Sequence, residues 1–428
     1  MAEKIIRDPV HDVISFRNDR VVDRLLFDLL NCAEFQRLRR IRQLGFASLA
    51  YPGADHSRYS HSLGVMETAR KILEQLRRSM TIDEEQEITC LAAALLHDLG
   101  HGPFSHVFER VSGIDHEEFT GRVIQDPDSE VYRLLAQTDR ELPGKVMDLL
   151  HGRPASNYLS DILSSQLDAD RLDYLLRDNY MTGSRYGDFD IQWLLRNFVV
   201  DPASQRLAVT YKGVSAVEGY LQARYHMYRN VYFHKVVRAG EGMLKLALQR
   251  AKRLAVQDRL EWPPRDQSVY KALLGQQLTI AEFTDLDDVS VLHCFKLWTN
   301  AEDPVLAGLC KGLLFRKLFK TIDLSAIDDT AKIQRAVESA GDAVTAAGGD
   351  PLYDLFYDEP ADTPYEVYQP DDPTAAKEIL VLDRAGKLTP FTTISPFVQS
   401  LNQQLMFRRI HVHAQYRDAV AQALRNCL

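Results

Sequence analysis

The chain has 428 residues, 45% hydrophobic and 26% charged, a globular composition that excludes disordered, collagenous and disulfide-stapled classes. A formal net charge of −9 excludes a protein that coats nucleic acid through its whole surface, while a local basic cleft for an anionic substrate stays open. Five cysteines without a CxxC pair argue against a disulfide framework or a thiolate-held zinc and point to the cytoplasm, and the sequence lacks the apolar run of a leader or a membrane span.

In chain order, Val22, Leu25, Leu26, Leu29 and Leu30 form one apolar stripe and predict a helix. Four arginines follow within Arg37–Arg42; taken alone, that cluster reads as a solvated helix face. Met66, Ala69, Leu73 and Leu76 mark a second helix, and Cys90–Leu96 belongs to a third that starts near Asp83. Helices are also expected at 129–136, 145–151, 157–177 and 213–255, the last with a break at Gly240 and Gly242. Phe198–Val200 and Leu207–Tyr211 predict a hairpin around Asp201–Ser204. From Gly341 to Pro373 the chain reads as loop with short helices at most. Strands are expected at Glu378–Asp383 and Arg409–Ala414, and a last helix from Tyr416. The expected class is mainly α: a helical core over 1–255 and a smaller C-terminal α+β lobe over 256–428.

Six of the thirteen histidines fall between residues 56 and 116. The central text is His97-Asp98-Leu99-Gly100-His101-Gly102-Pro103-Phe104-Ser105-His106. Neighbours on a helix point about 100° apart, so His97 and Asp98 cannot share an ion from mid-helix. Gly100, Gly102 and Pro103 end the helix there and free the geometry. Imidazole plus carboxylate suits Mn²⁺, Fe²⁺, Zn²⁺ or Ni²⁺, with Mg²⁺ at a more oxygen-rich position. His61 and Asp170 complete an ordered H…HD…D set, with room for water and a phosphate oxygen. Asp168 reads as a cap or support for this segment, and Asp173, three residues after Asp170, shares its helix face.

Through DPVH, FQRLRRIRQLG, YPGADHSRYSHSLGV, LLHDLGHGPFSH, LDADRLDYLLRD and RNVYFHK, the sequence resembles the HD-domain metal-dependent phosphohydrolases over about residues 4–240. Within them it is similar to the deoxynucleoside triphosphate triphosphohydrolases that include the sterile-alpha-motif HD protein. The resemblance implies an HD-domain helical core with a divalent metal on His61, His97, Asp98 and Asp170. The implied reaction is water attack on the α-phosphorus of a dNTP, releasing deoxynucleoside and triphosphate. His101, His106 and His116 are the general-acid candidates, with Glu109 to orient one of them; the family points to His106 and His116. Arg58 and Arg171 would hold phosphate oxygens, with Arg224 and Tyr232 as further substrate contacts. Gln43 and Asp178 would bond the 3′-hydroxyl while Leu44 and Tyr174 crowd the 2′ position.

The resemblance also implies a nucleotide effector at Lys4, Asn31, Gln36, Arg39, Tyr51, Lys212, His234 and Lys235, and self-association as a dimer or tetramer. Asn31 stands where guanine-reading members carry Asp, and Trp193 replaces a basic residue, so altered or absent guanine preference is expected. The alternatives are an HD phosphohydrolase acting on another nucleotide or on single-stranded nucleic-acid ends, and a non-catalytic metal- or nucleotide-binding protein. His411 and His413 alternate on the expected strand and read as exposed residues sharing a face. The acidic stretch Asp358–Asp372 reads as solvated loop, and Cys90 and Cys310 as core.

Overall fold

The stripe Val22, Leu25, Leu26, Leu29 and Leu30 turns inward from the helix Val21–Asn31. The helix Arg58–Leu76 buries Met66, Ala69, Leu73 and Leu76 and packs on Glu84–Leu96. The latter starts at Asp83 in a reciprocal capping box with Gln86. In the computed structural model, which describes residues 3–153, 156–363, 378–401 and 404–427, these helices lie in one large apolar core. Cys90 and Cys310 are buried in it. That core runs beyond residue 255 into Leu306–Leu313 and Phe319, while a second, smaller core begins at Leu324. Among the described residues no helix is long and apolar enough to cross a membrane.

Several expectations change. One element was not expected: Glu3–Asp8 and Asp12–Arg17 form an antiparallel hairpin. Only its second strand alternates buried and open residues, at Ile14 and Phe16, so its period-2 signal is weak. The helix expected over 157–177 is two, Asn157–Leu163 and Ala169–Thr182. Asp168 leaves the helical conformation to cap the second, its side chain accepting from the Arg171 N–H. The break expected at Gly240 and Gly242 falls instead at Phe233–His234, before the helix Lys235–Val256. The glycines serve close approach: a Cβ on Gly242 would lie 2.0 Å from the Phe356 ring.

Arg37–Arg42 is not a solvated helix face. Residues Arg37–Arg40 form a 3-10 turn, and Arg37 is fully buried, donating to the Leu286 carbonyl at 2.8 Å and lying over Phe283. Arg40 pairs with Asp287. The stretch from Gly341 is not all loop, because the helix Thr330–Ala346 extends into it on the buried face Ile333, Ala336, Ala340 and Val344. Asp358 lies buried in the strand Leu355–Asp358 and pairs with Arg238 at 2.6 Å; the acidic stretch from 364 to 372 lies outside the described residues.

The strand Arg409–Val412 sits between Lys320–Asp323 and Leu355–Asp358, antiparallel to both. His411 is fully buried and stacked on Phe356 at 4.7 Å, whereas His413 follows the strand and is exposed. The two do not form an exposed face. The predicted hairpin at 198–210 is present, and the strand Leu380–Leu382 adds to it in parallel.

Candidate active site

Three helices meet at one point. His61 lies in the first turn of Arg58–Leu76, Asp170 in the first turn of Ala169–Thr182, and His97 and Asp98 just past the end of Glu84–Leu96. His61 Nε2 is 3.0 Å from Asp170 Oδ1 and 3.7 Å from Asp98 Oδ2. His97 Nε2 is 3.4 Å from Asp98 Oδ1 and 3.8 Å from Asp170 Oδ1. His97 Nδ1 faces the Ala94 carbonyl at 2.9 Å; a carbonyl only accepts, so Nδ1 carries the proton and Nε2 a lone pair. His61 Nδ1 likewise donates to Asp173 Oδ2 at 2.9 Å. His97 Nε2 is buried without a hydrogen-bond partner. His61, His97 and Asp170 each bring a donor atom within 4.8 Å of the others, a set that fits a divalent ion, and Asp98 stands beside both imidazoles as a further carboxylate.

The electrostatics agree. Burial opposes a charged His61, yet the hydrogen bonds to Asp170 and Asp173 raise its pKa to about 10 in the ion-free protein. An arriving cation therefore exchanges for a proton. Burial pushes the Asp98 carboxyl upward, but Arg58 and the flanking imidazoles hold it well below the usual range.

The support lies in the DPVH segment and far along the chain. Asp173 is fully buried and accepts from Arg177 Nε at 2.8 Å, while Arg177 Nη1 donates to Asp8 at 2.7 Å. Lys71 donates to His11 Nδ1 at 3.1 Å, so His11 Nε2 carries the proton that reaches Asp173 Oδ1 at 2.8 Å. His11 is thus a buried supporter of the site. Gly64 makes the space: a Cβ there would lie 1.9 Å from Asp173 Oδ1 and 2.2 Å from Arg177 Nη2. Gly64→Ala is expected to destabilise the protein by about 1–3 kcal/mol, read as a lowered urea midpoint, and to weaken metal retention.

A second histidine group adjoins the first. His101 and His116 stack at 4.1 Å, and His106 stands edge-on to both at 5.2 and 5.4 Å. Glu109 Oε2 accepts from His116 Nδ1 at 3.0 Å and lies 3.4 Å from His106 Nδ1. His101 Nε2 lies 3.2 Å from Asp98 Oδ1, which joins the groups. Arg58 bridges them too, pairing with Asp98 and donating to Ser105 Oγ at 2.8 and 3.0 Å. Burial first, then Arg58, lowers the His106 pKa.

A cavity of about 350 Å³ opens beside this group. Arg58, His106, Gln43, Leu44, Tyr174, Asp178 and Tyr232 line it together. Asp178 accepts from Tyr232 Oη at 2.8 Å and lies 2.7 Å from His56 Nε2, while Gln43 Oε1 is buried without a partner. Arg171 and Arg224 are not in this lining: Arg171 pairs with Asp168, and Arg224 lies 3.2 Å from Asp362. Sequence reasoning missed Arg238, Glu241, Phe46 and Ser105, which also line the cavity, and the contact of His56 with Asp178. Arg238 and Glu241 sit three apart on a helix, an ordinary surface spacing that carried no signal.

The residues expected to meet an effector fall into three groups. Lys4 lies over Phe27, whose carbonyl accepts from Asn31, and Gln36 Oε1 accepts from Arg39, itself over Tyr59. Tyr51 faces His234, which caps the helix that Lys235 begins. The Lys212 carbonyl accepts from the Trp193 indole at 3.0 Å.

The HD domain is matched over residues 58–178 and the HD associated region over 189–260. The chain is 38% identical over 404 residues to the uncharacterized protein YwfO of Bacillus subtilis, covering 94% of this chain and 89% of that one. It is 28% identical over 368 residues to the deoxynucleoside triphosphate triphosphohydrolase SAMHD1 homolog of Dictyostelium discoideum, covering 81% of this chain and 65% of that protein. Among solved structures, a phosphohydrolase from Bacteroides thetaiotaomicron is 28% identical with a TM-score of 0.81, covering 96% of this chain and 100% of that one.

Proposed function

This chain belongs to the HD-domain phosphohydrolases, and from that premise we propose that it hydrolyses deoxynucleoside triphosphates to deoxynucleoside and intact triphosphate. One observation carries the reading. A single cavity joins Arg58 and His106, beside the His61, His97, Asp98 and Asp170 cluster, to Gln43, Leu44, Tyr174, Asp178 and Tyr232. Phosphate chemistry and a sugar-sized wall share one space.

His61, His97, Asp98 and Asp170 would hold the divalent ion, which supplies charge neutralisation at phosphate and acidifies water. Arg58, fixed between Asp98 and Ser105, presents a guanidinium to the phosphate chain. His106 lines the cavity with Nδ1 toward Glu109 and is the donor we assign to the leaving 5′-oxygen. Substrate-free, its pKa is lowered; the charge of a polyphosphate beside it favours the proton it must deliver. His116, tied to the same Glu109 oxygen, holds that carboxylate in place. Gln43 Oε1 and Asp178 offer acceptors to a 3′-hydroxyl, and Leu44 and Tyr174 leave an added 2′-hydroxyl without a partner. Substrate contacts from Arg171 and Arg224 would require both to leave their carboxylate partners.

The test is steady-state kinetics on the four dNTPs and four rNTPs with Mn²⁺, separating products by ion exchange. Release of deoxynucleoside from dNTPs, lost in His97→Ala, is expected. Leu44→Gly should narrow the deoxy-over-ribo preference by roughly tenfold, as removal of an apolar wall does. Equal turnover of rNTPs by the unaltered protein would contradict the sugar assignment. The reading includes nucleotide activation of a self-associated enzyme. Turnover that rises in dNTP mixtures is expected, and strict dependence on GTP would contradict the altered preference read from Asn31.

A further inference from the structure

Outside the cleft, the described residues assemble one more set of metal-ligating donors. Cys32 stands at the junction between the helix Val21–Asn31 and the short turn Ala33–Gln36, Glu34 lies two residues on, and Glu130 opens the helix Glu130–Thr138. One donor atom from each lies within 4.8 Å of the other two. Part of this arrangement is ordinary capping. Glu34 Oε1 accepts the Glu130 N–H at 2.8 Å, and Glu130 Oε2 accepts the Ala33 N–H at 2.8 Å.

Capping does not account for Glu34 Oε2. That oxygen is buried with no hydrogen-bond partner, on a residue only 6% exposed, in the carboxylate that approaches Cys32. A bare carboxylate oxygen in the interior calls for a positive partner. Cys32 is 3% exposed, and its thiol donates to the Leu29 carbonyl at 3.0 Å. Burial, with Glu34 and Glu130 adding to it, pushes that thiol up to about 12. The negative field that discourages a lone thiolate attracts a cation.

We propose that Cys32, Glu34 and Glu130 form a second metal site, separate from the HD centre, that takes zinc with water as the fourth ligand. Sulfur with two carboxylates selects zinc over magnesium or calcium, which prefer oxygen alone. Each carboxylate keeps one oxygen on its helix N–H and turns the other to the ion. Two tetrahedral zinc ligands of this kind sit about 3.3–3.7 Å apart, so the donors close by about 1.5 Å at most. As the sulfur–zinc bond forms, the Cys32 proton leaves to solvent, and no electron is transferred. The ion staples the junction before Arg37 to the start of Glu130–Thr138. None of this depends on the substrate assignment.

Cobalt is the probe. The HD ligands include no sulfur, so a thiolate-to-cobalt charge-transfer band in the near ultraviolet reports this site alone. With the full-length protein we expect one such band equivalent per chain, retained in Asp98→Asn and abolished in Cys32→Ser. Glu130→Gln keeps the cap acceptor and is expected to weaken cobalt binding at least tenfold, which carries the test if Cys32→Ser fails to fold. Metal analysis after dialysis should find zinc in Asp98→Asn and none in the double variant Asp98→Asn with Cys32→Ser. No band in the unaltered protein overturns the proposal. So does unchanged affinity in Glu130→Gln, or a band that survives Cys32→Ser and vanishes in Cys427→Ser.

Discussion

Asp98→Asn is expected to abolish turnover while leaving the chain folded. Asp98 is the junction of the site: its oxygens lie 3.2 Å from His101, 3.4 Å from His97 and 3.7 Å from His61, and it pairs with Arg58. The amide keeps the shape and an acceptor for Arg58 but loses the charge that Arg58 and the imidazoles stabilise. Two losses compound: a ligand for the divalent ion, and the counter-charge that orients Arg58 toward substrate. A fall in kcat of roughly a thousandfold or more, about 4 kcal/mol in the barrier, is the expected magnitude. Metal content per chain should drop with it, and circular dichroism should not change. Full activity with full metal occupancy would remove Asp98 from the ligand set.

Asp173→Ala is expected to have the largest effect on stability. Asp173 and Arg177 are almost fully enclosed, and the carboxylate serves His61, His11 and Arg177 at once. Removing it strands a buried guanidinium with Asp8 alone and frees His61 to rotate. Breaking a buried pair this way costs about 3–5 kcal/mol, and loss of the carboxylate behind a metal-binding histidine costs ten- to a hundredfold in metal affinity. Denaturant midpoints and chelator competition measure the two separately. His11→Ala should show the same signs at smaller size, because Arg177 keeps both partners. An unchanged midpoint in Asp173→Ala would mean that the network does not hold the site.

What the sequence made legible was local. His97 and Asp98 stand beside Gly100, Gly102 and Pro103, so both the donor chemistry and the helix end that frees it are visible within a few residues. Leu25 and Leu29, or Met66 and Leu73, declare their helices by spacing alone. What escaped was long-range. His11 reaches Asp173 across the chain, and Arg37 buries itself on Leu286 and Phe283; neither partner is foreseeable from its own segment. His411 alternates with His413 as a surface pair would, yet the sheet places it under Phe356. The Gly240 and Gly242 pair reads as a break because glycine lowers helix propensity, but close packing, of Gly240 against Leu49 and Phe46 and of Gly242 against Phe356, outweighs propensity.

The proposed reaction is water attack at the α-phosphorus with the 5′-oxygen leaving on the nucleoside. Hydrolysis of a dNTP in ¹⁸O-labelled water, followed by mass spectrometry of both products, tests it most directly. One ¹⁸O in an intact triphosphate and none in the deoxynucleoside is the expected result. Label in pyrophosphate or orthophosphate, with a deoxynucleotide as the other product, would contradict it.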